Sequence, residues 1–152
     1  GGVTAQFGEV SDQMKKEMID RLKESATKVM LNVYELELKP SDEKNVYLAI
    51  KNDLNVDDTF NVCTKNNGGS CGSVDLTCSF VDVPAGSTAP DCSDITVTTF
   101  KDKQIIRGNI EVLPVKIKIS SGAKATTYMI PIVVSASSTG EQQRADLYLT
   151  VK

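Results

Sequence analysis

Leu31-Asn32-Val33-Tyr34-Glu35-Leu36-Glu37-Leu38-Lys39-Pro40 is where the chain changes period. Tyr34, Leu36 and Leu38 alternate with Glu35 and Glu37, so every second side chain is apolar until Pro40 and Ser41 end the run. That is the pattern of a strand with one buried face. Upstream, the apolar residues Phe7, Val10, Met14, Met18, Leu22, Ala26, Val29 and Met30 recur in steps near three and four. This spacing puts them on one stripe of an amphipathic helix. Ser11 followed by Asp12 is positioned to cap its start, and Asp12 to Lys16, Glu17 to Arg21 and Glu24 to Lys28 place opposite charges four apart on the wet side. The organisation predicted is a helix over 1–31 running without a linker into a β domain over 32–152.

Downstream, the period of two persists. Val46, Leu48 and Ile50 alternate with Tyr47, Ala49 and Lys51 before the polar segment Asn52 to Asp58. Further strands are expected at Thr59 to Thr64, Ser73 to Val83, Asp94 to Phe100, Gln104 to Val112, Val115 to Ile119, Thr127 to Ser135 and Ala145 to Val151. Turn-forming clusters at Pro84 to Pro90, Ser120 to Gly122 and Ser135 to Gly140 separate several of them. Seven to nine short strands with no helical pattern between them predict a mainly β fold, an antiparallel immunoglobulin-like β-sandwich behind the N-terminal helix.

The four cysteines, Cys63, Cys71, Cys78 and Cys92, fall within thirty residues with no Cys-x-x-Cys, and the chain has no His. Zinc sites bring ligands in close pairs and often use His, so two disulfides are the better reading, and with them an oxidising compartment or a hyperthermophilic cell. Asn66, Asn67, Gly68 and Gly69 form a turn that favours Cys63 with Cys71 and Cys78 with Cys92. The crossed pattern, Cys63 with Cys78 and Cys71 with Cys92, stays open.

At 152 residues and 40% hydrophobic the chain is long enough for one domain with an ordinary core. A net charge of -3 with interleaved Lys and Asp/Glu offers no basic face, and nucleic acid is not an expected partner. The absence of His removes Ser-His-Asp and Cys-His nucleophile systems in their usual form, so the chain is not expected to be an enzyme. Asp57 with Asp58, and Asp91 with Asp94, read as turn residues. Asp53, Asn55 and Asp57 are spaced like the first three ligands of an EF-hand, a weak calcium candidate. The match then fails at Asp58, where glycine is needed, and at Thr64, where glutamate is needed. No metal or cofactor is therefore expected. Lys116 and Lys118 read as the wet side of a strand, protecting an edge.

An amphipathic helix running straight into a β domain with local disulfides resembles type IV pilins, particularly the archaeal kind made with class III signal peptides. The run from Ser121, Gly122 and Ala123 through Thr127, Tyr128 and Ile130 to Ile132, then Ala145 to Val151, resembles the last hairpin of immunoglobulin-like domains on prokaryotic cell surfaces. The resemblance implies that Phe7 to Met30 is the second half of a longer helix whose apolar first half precedes Gly1, and that only this missing segment would meet a membrane. It implies a non-enzymatic, extracellular, cell-surface filament subunit or pilus-associated ectodomain. Its partners would be further copies or other filament subunits, met through Phe7, Val10, Met14, Met18 and Leu22. Packing of that stripe on the chain's own sheet is the competing expectation. The alternative function is a β-sandwich module that binds a glycan or cell-wall polymer.

Overall fold

The computed structural model describes residues 10–65, 71, 76–81, 85–86 and 92–152. Helix α1 (Asp12–Glu24) precedes β1 (Val29–Leu31), β2 (Glu35–Leu38), β3 (Glu43–Lys51), β4 (Asp58–Cys63) and β5 (Ser79–Phe80). A 3-10 turn at Cys92–Asp94 leads into β6 (Ile95–Thr99), β7 (Asp102–Ile105), β8 (Ile110–Ile119), β9 (Thr127–Ala136) and β10 (Gln142–Val151). One sheet has the order β1-β3-β8-β6 and the other β2-β10-β9-β4-β7, with β5 also on β9. These are the A-B-E-D and G-F-C orders of an immunoglobulin-like sandwich.

The alternation seen in the sequence decides which side chains meet. Val46, Leu48 and Ile50 of β3 and Leu113, Val115 and Ile117 of β8 face Ile130, Ile132 and Val134 of β9 and Leu147 and Leu149 of β10 in one buried cluster. Two edges are closed by chain segments that change sheets. β1 pairs antiparallel with β3, and a few residues later β2 pairs with β10, in parallel, with Leu36 beside Leu149 and Leu38 beside Val151. Likewise β6 lies on β8 and β7 on β4. The expectation of a wholly antiparallel sandwich therefore holds except at β2, because a strand that crosses the sandwich without reversing meets the last strand in the same direction. Asn32 sits at the first crossing, where its carbonyl oxygen Oδ1 accepts from Tyr47 N at 2.7 Å and its own N–H donates to Tyr47 O at 2.9 Å.

The helix is shorter than its stripe. Ser11 Oγ does accept from Met14 N at 3.2 Å, as a cap should, but the helix stops at Glu24 instead of Met30. Val29 and Leu31 are drawn into the sandwich interior as β1, so the boundary between helix and β domain lies between Glu24 and Val29, not at Leu31. A second correction concerns Pro114. The break expected between Gln104–Val112 and Val115–Ile119 is absent and β8 runs through the proline; the chain breaks instead inside the expected Gln104–Val112 strand, between Ile105 and Ile110. Its partner on β3 is Tyr47, while the β6 ladder ends at Val115, so the missing N–H costs no sheet bond on that side. Pro131 is placed in the same way: the β4 ladder on β9 ends at Val133 and the β5 ladder begins at Met129. Because β8 lies between β3 and β6, Lys116 and Lys118 do not guard an edge. Lys116 instead pairs with Glu43 across the outer face at 3.2 Å.

Helix α1 lies on the outer face of the four-stranded sheet. Met18 and Leu22 are buried there against Ala49 of β3 and Val112 of β8, with Val10, Met14, Ile19, Met30, Tyr47 and Ile110 around them. Burying a side chain of this size contributes roughly 1.5–3 kcal/mol. Lys51 Nζ donates to Leu22 O at 3.1 Å and to Ser25 O at 2.9 Å, placing a cation on the carbonyl end of the helix. Among the described residues no helix is long and apolar enough to cross a membrane. Leu22→Ala is expected to cost about 3 kcal/mol, since it leaves a cavity under the helix, and a urea midpoint within experimental error of the parent would show that the helix is not welded to the sheet.

Candidate functional site

The residues singled out in the sequence do not gather in one place. Phe7 lies outside the described residues. Val10 and Met14 are half-buried at the N-terminal end of the helix contact, and Met18 and Leu22 are covered by the chain's own sheet. The C-terminal part of the stripe assigned to subunit assembly, Met18 and Leu22, is thus used within the molecule, because the outer face at Ala49 and Val112 is itself apolar and adjacent.

The cysteines form two disulfides, Cys63–Cys71 and Cys78–Cys92, each with Cα atoms 6.3 Å apart. The first, with Val133 and Leu76, makes a small buried cluster of its own on the six-stranded sheet. The second belongs to the main core and joins the approach to β5, in the six-stranded sheet, to the approach to β6, in the other. The glycine turn between Cys63 and Cys71 lies outside the described residues.

The calcium candidate is engaged in other contacts. Asp57 Oδ1 accepts from Arg107 N at 2.9 Å, the Arg107 guanidinium reaches Asn55 O at 3.4 Å, and Asp53 pairs with Lys28. No group of three or more potential metal ligands occurs among the described residues. Asp58 is buried and accepts from Ser138 N and Ser138 Oγ, tying β4 to the β9–β10 turn. That turn closes on Gly140, whose φ of 71° suits a residue without Cβ. Asn52 is fully buried, with its amide donating to Val56 O and Ile105 O and its oxygen accepting from Leu54 N.

Lys28 does not pair with Glu24 along a helix face. It lies past the helix end and instead bridges Glu141 at 2.7 Å and Asp53 at 3.5 Å, over a void of about 20 Å³ between Ile50, Phe60 and Val134. A void of that size has room for about one water. The cluster is a lid on one end of the sandwich rather than a ligand pocket.

Among the described residues a larger concave surface lies elsewhere. On the outer face of the six-stranded sheet, Glu35 of β2 stands opposite Tyr148 of β10, and Glu37 stands opposite Thr150, which stands opposite Thr127 of β9. With Val81 these residues line a groove of about 550 Å³. Tyr148 is 38% exposed and Val81 58% exposed, whereas Tyr128 on the inner face of β9 is fully buried against Phe80. Thr127 Oγ1 and Thr150 Oγ1 are hydrogen-bonded at 3.0 Å, and Lys152 pairs with Glu37 at 3.3 Å. Period-two reading puts Glu35 and Glu37 on the wet face, but their meeting with Tyr148 depends on the parallel β2–β10 register, which no local signal announces.

No protein-family profile and no curated protein matches the chain. Solved structures do share its fold. A family 123 glycoside hydrolase from Clostridium perfringens aligns with 91% of this chain at 15% identity and a TM-score of 0.54, and this chain spans only 25% of the hydrolase. The PapD-like domain 7 of human CEP192 aligns over 83% of this chain and 86% of its own length at 10% identity, TM-score 0.57. A FixG-related protein from Vibrio parahaemolyticus covers 84% of this chain over 99% of its own length at 9% identity, TM-score 0.50. At these identities the likeness is one of fold.

The Lys28 cluster sets a pH dependence. Its hydrogen bond to Glu141, and then the nearby charges of Asp53 and Glu141, outweigh desolvation and raise the ammonium pKa above its ordinary 10.5. The folded value exceeds the unfolded one, so the stabilisation is complete below pH 10.5 and is lost as pH rises through the folded value. The stability difference between the parent and Lys28→Met, read from urea midpoints, is expected to be steady from about pH 7 to about pH 10 and to shrink above that. A difference that grows with alkalinity would contradict the assignment.

Proposed function

We propose that the chain is a non-enzymatic, cell-surface assembly module of pilin-like plan, a disulfide-stapled sandwich held out by its N-terminal helix. The observation that carries this reading is the direction in which α1 is docked, since the docking itself covers Met18 and Leu22 within the molecule. Met18 and Leu22 are buried in the outer face of the four-stranded sheet and Lys51 holds the helix end, so helix and sandwich move as one body. Met14 lies near Asn32 and Leu22 near Lys51, so the helix runs along β3 toward the end where Lys28, Asp53 and Glu141 sit. Chain entering through the helix arrives at the opposite end, and the turns around Asn52–Asp58, Ile106–Asn109 and Ser137–Glu141 point away from it. A subunit anchored through an upstream helical half would present those turns outward. Two disulfides fit the oxidising side of a membrane. Since Met18 and Leu22 are covered within the molecule, contact between subunits falls to the upstream helical half and to the charged outer side of α1.

The test is to read the gene immediately upstream of the Gly1 codon and to label intact cells with an antibody raised against this domain. An apolar stretch of about twenty residues, the length that spans a bilayer, together with surface labelling, is the expected result. A start codon directly before the Gly1 codon, with labelling only after lysis, would overturn the proposal.

A further inference from the structure

The geometry points to the groove of β2, β10 and β9 as a binding site for an extended sugar chain that carries no negative charge. This inference is independent of how the domain is anchored. The groove's volume of about 550 Å³ lies in the range of small-ligand sites. It is nevertheless open along a sheet face, which suits a linear polymer laid across strands better than an enclosed apolar molecule. Tyr148 supplies an exposed ring on the strand surface, an apolar plate with a polar tip. The C–H face of a pyranose packs on such a plate, and its hydroxyls need donors and acceptors around the rim. Glu35 and Glu37 on β2, Thr150 two residues along β10 from Tyr148, and Thr127 on β9 provide them, at positions fixed by the strand register.

The charges narrow the ligand further. Two carboxylates line the groove, and Lys152 answers only Glu37, through a pair whose side chains are more than 60% exposed. An exposed pair of this kind is a weak interaction, and the groove remains net acidic. Polyuronates and phosphate-bearing wall polymers are repelled, whereas neutral and amine-bearing glycans are not.

The experiment is calorimetric titration of the disulfide-intact chain with three oligosaccharides of equal length: a neutral β-glucan, its amine-bearing counterpart chitosan, and an anionic polyuronate. The neutral or the amine-bearing chain is expected to bind in the micromolar to millimolar range, about −8 to −4 kcal/mol, and the polyuronate is not. Tyr148→Ala is expected to weaken binding by about tenfold or more. Tyr148→Phe keeps the ring and retains most of the affinity. Glu35→Gln, which alters no buried contact, is expected to weaken the amine-bearing chain more than the neutral one. Binding of none of the three, equal binding of the polyuronate, or affinity unchanged in both Tyr148→Ala and Glu35→Gln would overturn the assignment. Thermal melts of each variant separate loss of the site from loss of the fold.

Discussion

Each sheet of this protein has an inner face of branched aliphatic side chains that only the other sheet can cover. Val46, Leu48 and Ile50 on one side and Ile130, Ile132, Leu147 and Leu149 on the other are at most 1% exposed, and the rest of the molecule is arranged to keep that interface dry. A sandwich is exposed at its lateral edges, and here β1–β2 and β6–β7 solve the problem by crossing from one sheet to the other, carrying Val29, Leu31, Leu36, Leu38, Val97 and Ile105 into the core as they go. The Cys78–Cys92 bond ties the two sheets covalently on the same principle. A disulfide closing a loop of about fifteen residues contributes roughly 3 kcal/mol, a large share of the roughly 5–15 kcal/mol typical of a domain.

Much of this architecture is legible in the side-chain periods. The long strands β3, β9 and β10 lie within a few residues of their expected places, and the disulfide pairing is the one that the turn expected at Asn66, Asn67, Gly68 and Gly69 favours over the crossed pattern. The failures have physical causes. Ala26, Val29 and Met30 continue the helical stripe, but Val29 and Leu31 gain more by entering the main core than by extending a helix whose sheet contact already ends at Leu22 and Lys51. Pro114 reads as a strand break in isolation because its tolerance depends on where the β6 ladder ends, a property of the neighbouring strand and not of the proline's own surroundings in sequence. The sheet crossings are equally silent, since alternation records which face is buried and not which sheet a strand has joined.

The same limit governs the candidate site. Methionines and leucines at helical spacing make a clear stripe, yet whether such a stripe faces a neighbour or its own domain depends on what stands opposite. Ala49 and Val112, with Met30, Tyr47 and Ile110 beside them on the outer sheet face, decide it. The groove has no signal of its own. Glu35 and Tyr148 lie near opposite ends of the sequence, and only the pairing of the first long strand region with the last brings them together.

That pairing also governs how the domain bears load. β2 and β10 run in the same direction at opposite ends of the chain, with four consecutive residues in register. A pull that enters from the N-terminal side and leaves through Lys152 drags these strands past one another along their length. The hydrogen bonds between them are then strained together, whereas a hairpin pulled at its open end unzips rung by rung. Tension between those two points therefore meets a clasp that yields all at once or not at all.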